Sequence, residues 1–265
     1  MSAKLDELGR ILCDLKRVVV AYSGGVDSTF LLKVAHDCLK DDALGVIGVS
    51  PSLAERELAE AERVARQIGT RCETVPVFEM GDPHYLANDA RRCYYCKTSL
   101  FRELTAYAAR FGYACVLDGS NADDTGDYRP GLQAVAEQGV RSPLQEVGLT
   151  KMEIRALSRE MGLPTWDKPA TPCLSSRIPY GTPVTPQALA RIERAETILR
   201  RLGFRNLRVR HHDQVARIEV DPTDFGPILE QREQILAGLK QAGYAYVALD
   251  LAGFRSGSLN EVLIR

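Results

Sequence analysis

The chain has 265 residues, 45% of them apolar and 26% charged, with a net charge of −1. That length suits one large domain plus a small one. The near-neutral balance excludes a surface built throughout for nucleic acid, and no run approaches the roughly 20 apolar residues of a membrane span.

The amino terminus, "MSAKLDELGRILCDLKRVVV", scatters acids among its apolar positions and lacks the order of a signal peptide, so a cytoplasmic location is expected. From there to about Ser142 strand-like and helix-like runs alternate. "RVVVAY" precedes an amphipathic stretch from Asp27 to about Leu39, "ALGVIGVS" precedes Leu53 to Ile68, "TVPVF" precedes Lys97 to Phe111, and "ACVLDGS" precedes a polar loop. Buried strands separated by helices predict an α/β fold, a doubly wound parallel sheet covered on both faces. Ligands in such sheets bind beyond the carboxyl ends of the strands.

A helix from about Thr150 to Glu160 is followed by "GLPTWDKPATPCLSSRIPYGTPVTP", whose prolines forbid a continuous helix or central strand. The expected division is therefore residues 1–168, a proline-rich loop and linker over 169–185, and a smaller α+β domain over 186–265. Within that domain a helix from about Pro186 to Leu202 leads to a hairpin, "LRVRHHDQVARIEV". A helix near Asp224 to Lys240 and a final strand, "YAYVALDL", complete it. Alternation in the hairpin puts Arg208 and Arg210 on one sheet face, which is either a solvated surface or a binding face.

"SGGVDS", Ser23 to Ser28, lies between a buried strand and a helix. Gly24 and Gly25 let the backbone turn and its N–H groups approach an anion, the helix end adds partial positive charge, and Ser23, Ser28 and Thr29 can donate further hydrogen bonds. A Walker A loop would place a lysine here, whereas this chain places Asp27. An acid beside phosphate makes sense if it holds a cation such as Mg²⁺; the alternative is a helix cap.

Of the seven cysteines, Cys13, Cys38, Cys72 and Cys115 sit singly among apolar residues and read as buried small hydrophobes. Cys93 and Cys96 form a CxxC ahead of the helix that carries Leu100, Leu104 and Phe111. Cys173 lies in the proline loop, where Lys168 and Arg177 are placed to favour its thiolate. Three loop cysteines fit an iron–sulfur cluster with one iron open; a CxxC alone also fits a redox disulfide, and structural zinc lacks a fourth ligand. Glu196 falls on the apolar stripe Leu189, Ile192, Leu199, Leu202, where an acid wants a partner or a metal.

The hexapeptide Ser23 to Ser28 closely resembles the SGGxDS signature of the PP-loop ATP pyrophosphatases, of adenine nucleotide alpha hydrolase-like fold. The resemblance implies that Ser23, Gly24, Gly25, Asp27 and Ser28 face ATP and its Mg²⁺, and that "LDGSNADD", with Asp118 and Gly119, is a second ATP-side loop. "AYSGGVDST", "DYRPG", "SSRIPYGT", "LGFRNLRVRHH" and "LDLAGFRSG" together resemble the LarE family over nearly the whole chain. That family consists of ATP-dependent sulfur transferases that make the nickel-pincer nucleotide of lactate racemase. They adenylate a carboxylate of pyridinium-3,5-biscarboxylic acid mononucleotide and replace it by a thiocarboxylate.

By this resemblance, Arg129 joins the nucleotide set, Arg208, Arg210 and Arg255 bind a substrate phosphate, and Cys173, Ser176, Arg177 and Glu196 form the catalytic group. Arg177 is the candidate for stabilising the tetrahedral oxyanion. One style within the family sacrifices a single cysteine. The other carries a [4Fe–4S] cluster on three, and Cys93 and Cys96 with Cys173 place this chain there, with Cys173 as sacrificial donor the alternative. The resemblance further implies a sulfide source, handover to a nickel-insertion protein, a homo-oligomer, and no membrane or nucleic-acid partner. A tRNA thiolase of the same superfamily and a redox-sensing nucleotide-binding protein are the rival readings.

Overall fold

A computed structural model describes residues 2–126, 130–255 and 259. Helix α1 (Ser2–Leu15) leads into β1 (Val18–Ala21), α2 (Val26–Leu39), β2 (Ala43–Val49), α3 (Glu55–Gln67) and β3 (Arg71–Pro76). Next come the one-turn α4 (Pro83–Leu86), the long α5 (Arg92–Phe111), β4 (Cys115–Leu117), α6 (Pro130–Glu137), the one-turn α7 (Pro143–Glu146) and α8 (Lys151–Glu160). After the proline segment follow α9 (Pro186–Arg201), β5 (Leu207–His212), β6 (Val215–Val220), α10 (Phe225–Glu230), α11 (Arg232–Gln241) and β7 (Tyr246–Leu249). Among the described residues no helix is long and apolar enough to cross a membrane.

The chain divides into two compact units, Met1–Gly81 with Cys93–Thr171, and Asp82–Arg92 with Pro172–Arg265. In the first, four parallel strands lie in the order β3-β2-β1-β4. The three valines that open β1 alternate between its faces. Val18 and Val20 join a core with Leu8, Leu12, Phe30 and Ile154, whereas Val19 joins Phe101, Leu104 and Val135 on the other side. Each buried valine contributes about 1.5–3 kcal/mol, so covering both faces fixes β1 at the centre of the unit. Because β1 is flanked by β2 and by β4, its carboxyl end is the switch point of the sheet, where folds of this kind form their ligand crevice.

Helix α5 and the loop after β4 differ from the sequence expectation. Helix α5 begins at Arg92 rather than Lys97, so the CxxC lies on its first turns instead of ahead of it; cysteine and tyrosine do not break a helix, and Asp89 accepts the Arg91 amide at 2.7 Å to start it. The polar loop after β4 contains α6, whose Ala134 and Val135 are buried.

The second unit is a mixed sheet, β5-β6-β7, in which β5 and β6 form the expected hairpin and β7 runs parallel to β6. Its core gathers Leu199, Val209, Ile218, Ile235 and Leu239 between the sheet and helices α9 and α11. The single helix expected near Asp224 to Lys240 is two, α10 and α11, separated at Gln231. Segment Asp82–Arg92 belongs here because it scaffolds the proline loop. Asn88, buried and with φ +56°, donates to the carbonyls of Pro179 and Thr182 at 2.8 Å, while the Tyr85 and Ser175 hydroxyls lie 2.6 Å apart.

Gly24 has φ +68°, and a Cβ there would lie 2.6 Å from Ala61 Cβ and 2.9 Å from Ala61 Cα in α3. Gly24→Ala therefore combines left-handed strain with a backbone clash and is expected to cost about 1–3 kcal/mol. Urea denaturation checks this, and unchanged stability would contradict the packing of α3 on the loop.

Candidate functional site

The glycine loop occupies the crevice at the end of β1. Gly25 precedes α2 in extended conformation (φ −82°, ψ 172°) and lets its first turn point at the loop. Ser28 folds back so that its hydroxyl lies 3.1 Å from that of Ser23 and accepts the Ser23 amide at 3.2 Å. The two serines thus shape the loop from inside. Helix α2 carries no side-chain cap, so the capping alternative for this sequence does not apply, and its first amides keep their capacity for an anion.

The loop after β4 closes over it. A Cβ on Gly119 would stand 3.1 Å from the Ser28 amide nitrogen, so glycine lets the two loops approach without either giving way. Asp118 is buried and turned inward, accepting the hydroxyls of Ser120 and Ser142 at 2.6 Å, with the Lys97 ammonium at 3.7 Å. These contacts brace the loop. Asp27 is different. Asn121 donates to its Oδ1 at 3.3 Å and the Lys151 ammonium pairs with its Oδ2, so this carboxylate already holds a cation. A Mg²⁺ ion fits the same carboxylate. Lys168, expected beside Cys173, instead donates to Gly24 O at 3.1 Å and pairs with Glu57 at 3.2 Å. Arg129 lies outside the described residues.

In the second unit Arg208 and Arg210 of the hairpin are buried, which settles against a solvated face. Arg210 is bidentate to Glu219 at 2.9 Å twice, and its Nη1 donates to Ser176 O at 2.6 Å. Arg177 Nε donates to Glu196 Oε1 at 2.8 Å and its Nη2 to Oε2 at 3.3 Å, while Nη1 reaches Pro172 O, Cys173 O and Ser176 Oγ. Each nitrogen of Arg177, the expected oxyanion donor, thus has a protein partner, and the side chain clamps the cysteine loop. Glu196 has the partner its place in the apolar stripe demanded, and it also accepts the Val209 amide at 3.2 Å.

Arg208 stands apart. It has no carboxylate partner among the described residues. One nitrogen donates to Arg255 O at 2.9 Å, and the guanidinium lies 4.5 Å from the Phe254 ring centroid. Burial, then the charges of Arg210 and Arg177, push its pKa below the usual arginine value. Glu219 and Glu196 act on it only from a distance, and a buried guanidinium without a directly paired carboxylate is suited to an anion.

A family model described as NAD synthase matches residues 11–87. The chain is 46% identical to an uncharacterized protein of Synechocystis over the full length of both. It is 40% identical to pyridinium-3,5-bisthiocarboxylic acid mononucleotide synthase of Lactiplantibacillus plantarum, covering all of this chain and 96% of that one. The chain belongs to the LarE family. It is an ATP-dependent sulfur transferase of the PP-loop ATP pyrophosphatase type. A tRNA-specific 2-thiouridylase of Azorhizobium caulinodans is 29% identical over 58% of this chain and 49% of its own length, a partial match that stops short of the whole molecule.

In this LarE-family chain Cys93 and Cys96, three residues apart on α5, share one helix face. Cys173 is exposed immediately before the turn Leu174–Arg177 and its carbonyl accepts Ser176 Oγ at 2.8 Å. Among the described residues no group of three or more His, Cys, Asp or Glu is gathered to hold a metal ion. The other cysteines are less uniform than expected. Cys13 is exposed, whereas burial pushes the Cys72 thiol up to about 12 and raises Cys38 and Cys115. Sequence reasoning missed Lys151, Asn121 and Glu219. Lys151 follows the helix-capping threonine Thr150 and is the fifth residue after α7, and only the position of that helix end could have brought it to the loop.

Glu196→Ala leaves the buried Arg177 charge without its carboxylate and is expected to lose about 3–5 kcal/mol of stability. Glu196→Gln, which keeps hydrogen-bonding capacity, is expected to lose less. Chemical denaturation of both variants checks the order, and equal losses would show that the charge is not what matters.

Proposed function

We propose that the chain adenylates a carboxylate of pyridinium-3,5-biscarboxylic acid mononucleotide and exchanges it for a thiocarboxylate. The observation that carries this reading is Arg208, a buried cation with no carboxylate partner among the described residues, in the unit that also carries Cys173. It offers donors suited to the phosphate of a mononucleotide. Full-length similarity to a synthase of the bisthiocarboxylic product supports the choice of substrate.

The chemistry follows from leaving groups. A carboxylate resists attack because oxide would have to leave, and adenylation makes that oxygen part of AMP. The glycine loop, with Ser23, Ser28 and the free amides of α2, binds the pyrophosphate that departs, and Asp27 would hold the Mg²⁺ that offsets its charge. Arg177, fixed by Glu196, positions the cysteine loop, and Arg210 holds Ser176 by its carbonyl. Cys93, Cys96 and Cys173 would hold a [4Fe–4S] cluster, which when bound supplies an open iron able to carry sulfide. Thiol ligands of this spacing suit such a cluster. The alternative, which the exposure of the Cys173 thiol allows, is that Cys173 itself gives up its sulfur.

Pyrophosphate release measured with ATP and each acceptor tests the substrate; release with the pyridinium mononucleotide and none with tRNA is expected, and the reverse would overturn the reading. Asp27→Asn should abolish that release while thermal unfolding stays that of the parent. Iron and sulfide determination after anaerobic reconstitution is expected to find a cluster that Cys93→Ala, Cys96→Ala and Cys173→Ala each destroy. Loss of about 34 Da at Cys173 after turnover, with no iron bound, would assign the sacrificial route.

A further inference from the structure

The glycine loop has an acid where a Walker loop has its lysine, and the structure shows which cation comes to it. Lys151 is the first residue of α8, and that turn is held from several sides. Thr150 and Glu153 form a reciprocal capping box, Asp123 accepts the Lys151 amide at 2.8 Å, and Glu153 is anchored by Lys4 at 2.7 Å. A rigid helix end therefore delivers the ammonium to Asp27 Oδ2, while Asn121 steadies the other oxygen. The two side chains remain 38% and 22% exposed, so a ligand entering the crevice can reach both.

The other lysines around the loop are bound differently. Lys168 holds the carbonyl of Gly24 and Glu57, which fixes backbone, and Lys97 lies near an Asp118 already supplied with hydroxyl donors. Among the described residues only Lys151 is paired with the acid that the loop presents. Without it, the Asp27 carboxylate would repel an entering phosphate by about 1 kcal/mol in water and more in a crevice of lower dielectric.

We propose that Lys151 is the phosphate-binding cation of this loop, kept on Asp27 until a magnesium-bound triphosphate arrives. The metal takes the carboxylate, and the released ammonium turns to the phosphate oxygens. No covalent bond changes; two ion pairs exchange partners and the net charge is conserved. Lys151 thereby supplies from α8 the charge that a Walker lysine supplies from within its own loop. This rests on the loop being a pyrophosphate cradle.

Titration calorimetry with inorganic pyrophosphate, on the full chain with and without Mg²⁺, separates the two ideas. In chelator, Asp27→Asn frees the ammonium and is expected to bind pyrophosphate about fivefold more tightly than the parent, the scale set by breaking one partly exposed ion pair. The gain should vanish in Asp27→Asn combined with Lys151→Gln. With Mg²⁺ present, Lys151→Gln should bind about tenfold more weakly than the parent, and Lys151→Arg should recover most of the loss. No gain in Asp27→Asn, or a gain that survives removal of Lys151, overturns the proposal while leaving the cradle intact. A parent protein that binds no pyrophosphate even with Mg²⁺ overturns the cradle itself.

Discussion

The carboxylate of Glu196 is what the second unit is organised around. It is buried on α9, takes two guanidinium nitrogens of Arg177, accepts the backbone amide of Val209 in β5, and has Arg200 at 3.5 Å. Through Arg177 it reaches the carbonyls of Pro172 and Cys173, so helix, sheet and cysteine loop meet at one charge. Such a pair contributes little net stability, because desolvation offsets the Coulomb attraction, but it is very sensitive to loss of either member. Its consequence is geometric. A segment rich in proline, which cannot use regular backbone hydrogen bonds, is held by a side chain instead.

A second buried pair, Arg210 with Glu219, repeats the device on the neighbouring strands, and Arg217 also approaches Glu219 at 3.2 Å. With these carboxylates engaged, Arg208 has no carboxylate partner among the described residues and is met instead by the Arg255 carbonyl and the Phe254 ring. Arg208 and Arg210, two positions apart on one strand, thus have different surroundings.

In the first unit the fold was legible because its signals are local. The run of valines, the two glycines and the acid that follows specify strand, turn and helix in order, and the parallel sheet follows from the alternation of elements. Helix α6 and the early start of α5 were not legible. Polar residues in "DYRPG" and the cysteines in "RRCYYC" mask their starts, and burial of Ala134 and Val135 depends on a core assembled from distant strands. The cysteine triplet was legible as chemistry, whereas the placement of two of its members on a helix was not.

The sequence by itself determined the reaction class, since a phosphate loop with aspartate in place of lysine, and cysteines outside the core, restrict the chemistry before any fold is known. Only the tertiary structure decided which charges are used up. Arg177 and Arg210 are indistinguishable from Arg208 as letters, but they differ once Glu196 and Glu219 are brought beside two of the three. Likewise Lys151 is remote from Asp27 in the chain and adjacent to it in space. The physical reason is that electrostatic partnership depends on distance and burial, both of which are set by packing rather than by sequence neighbourhood.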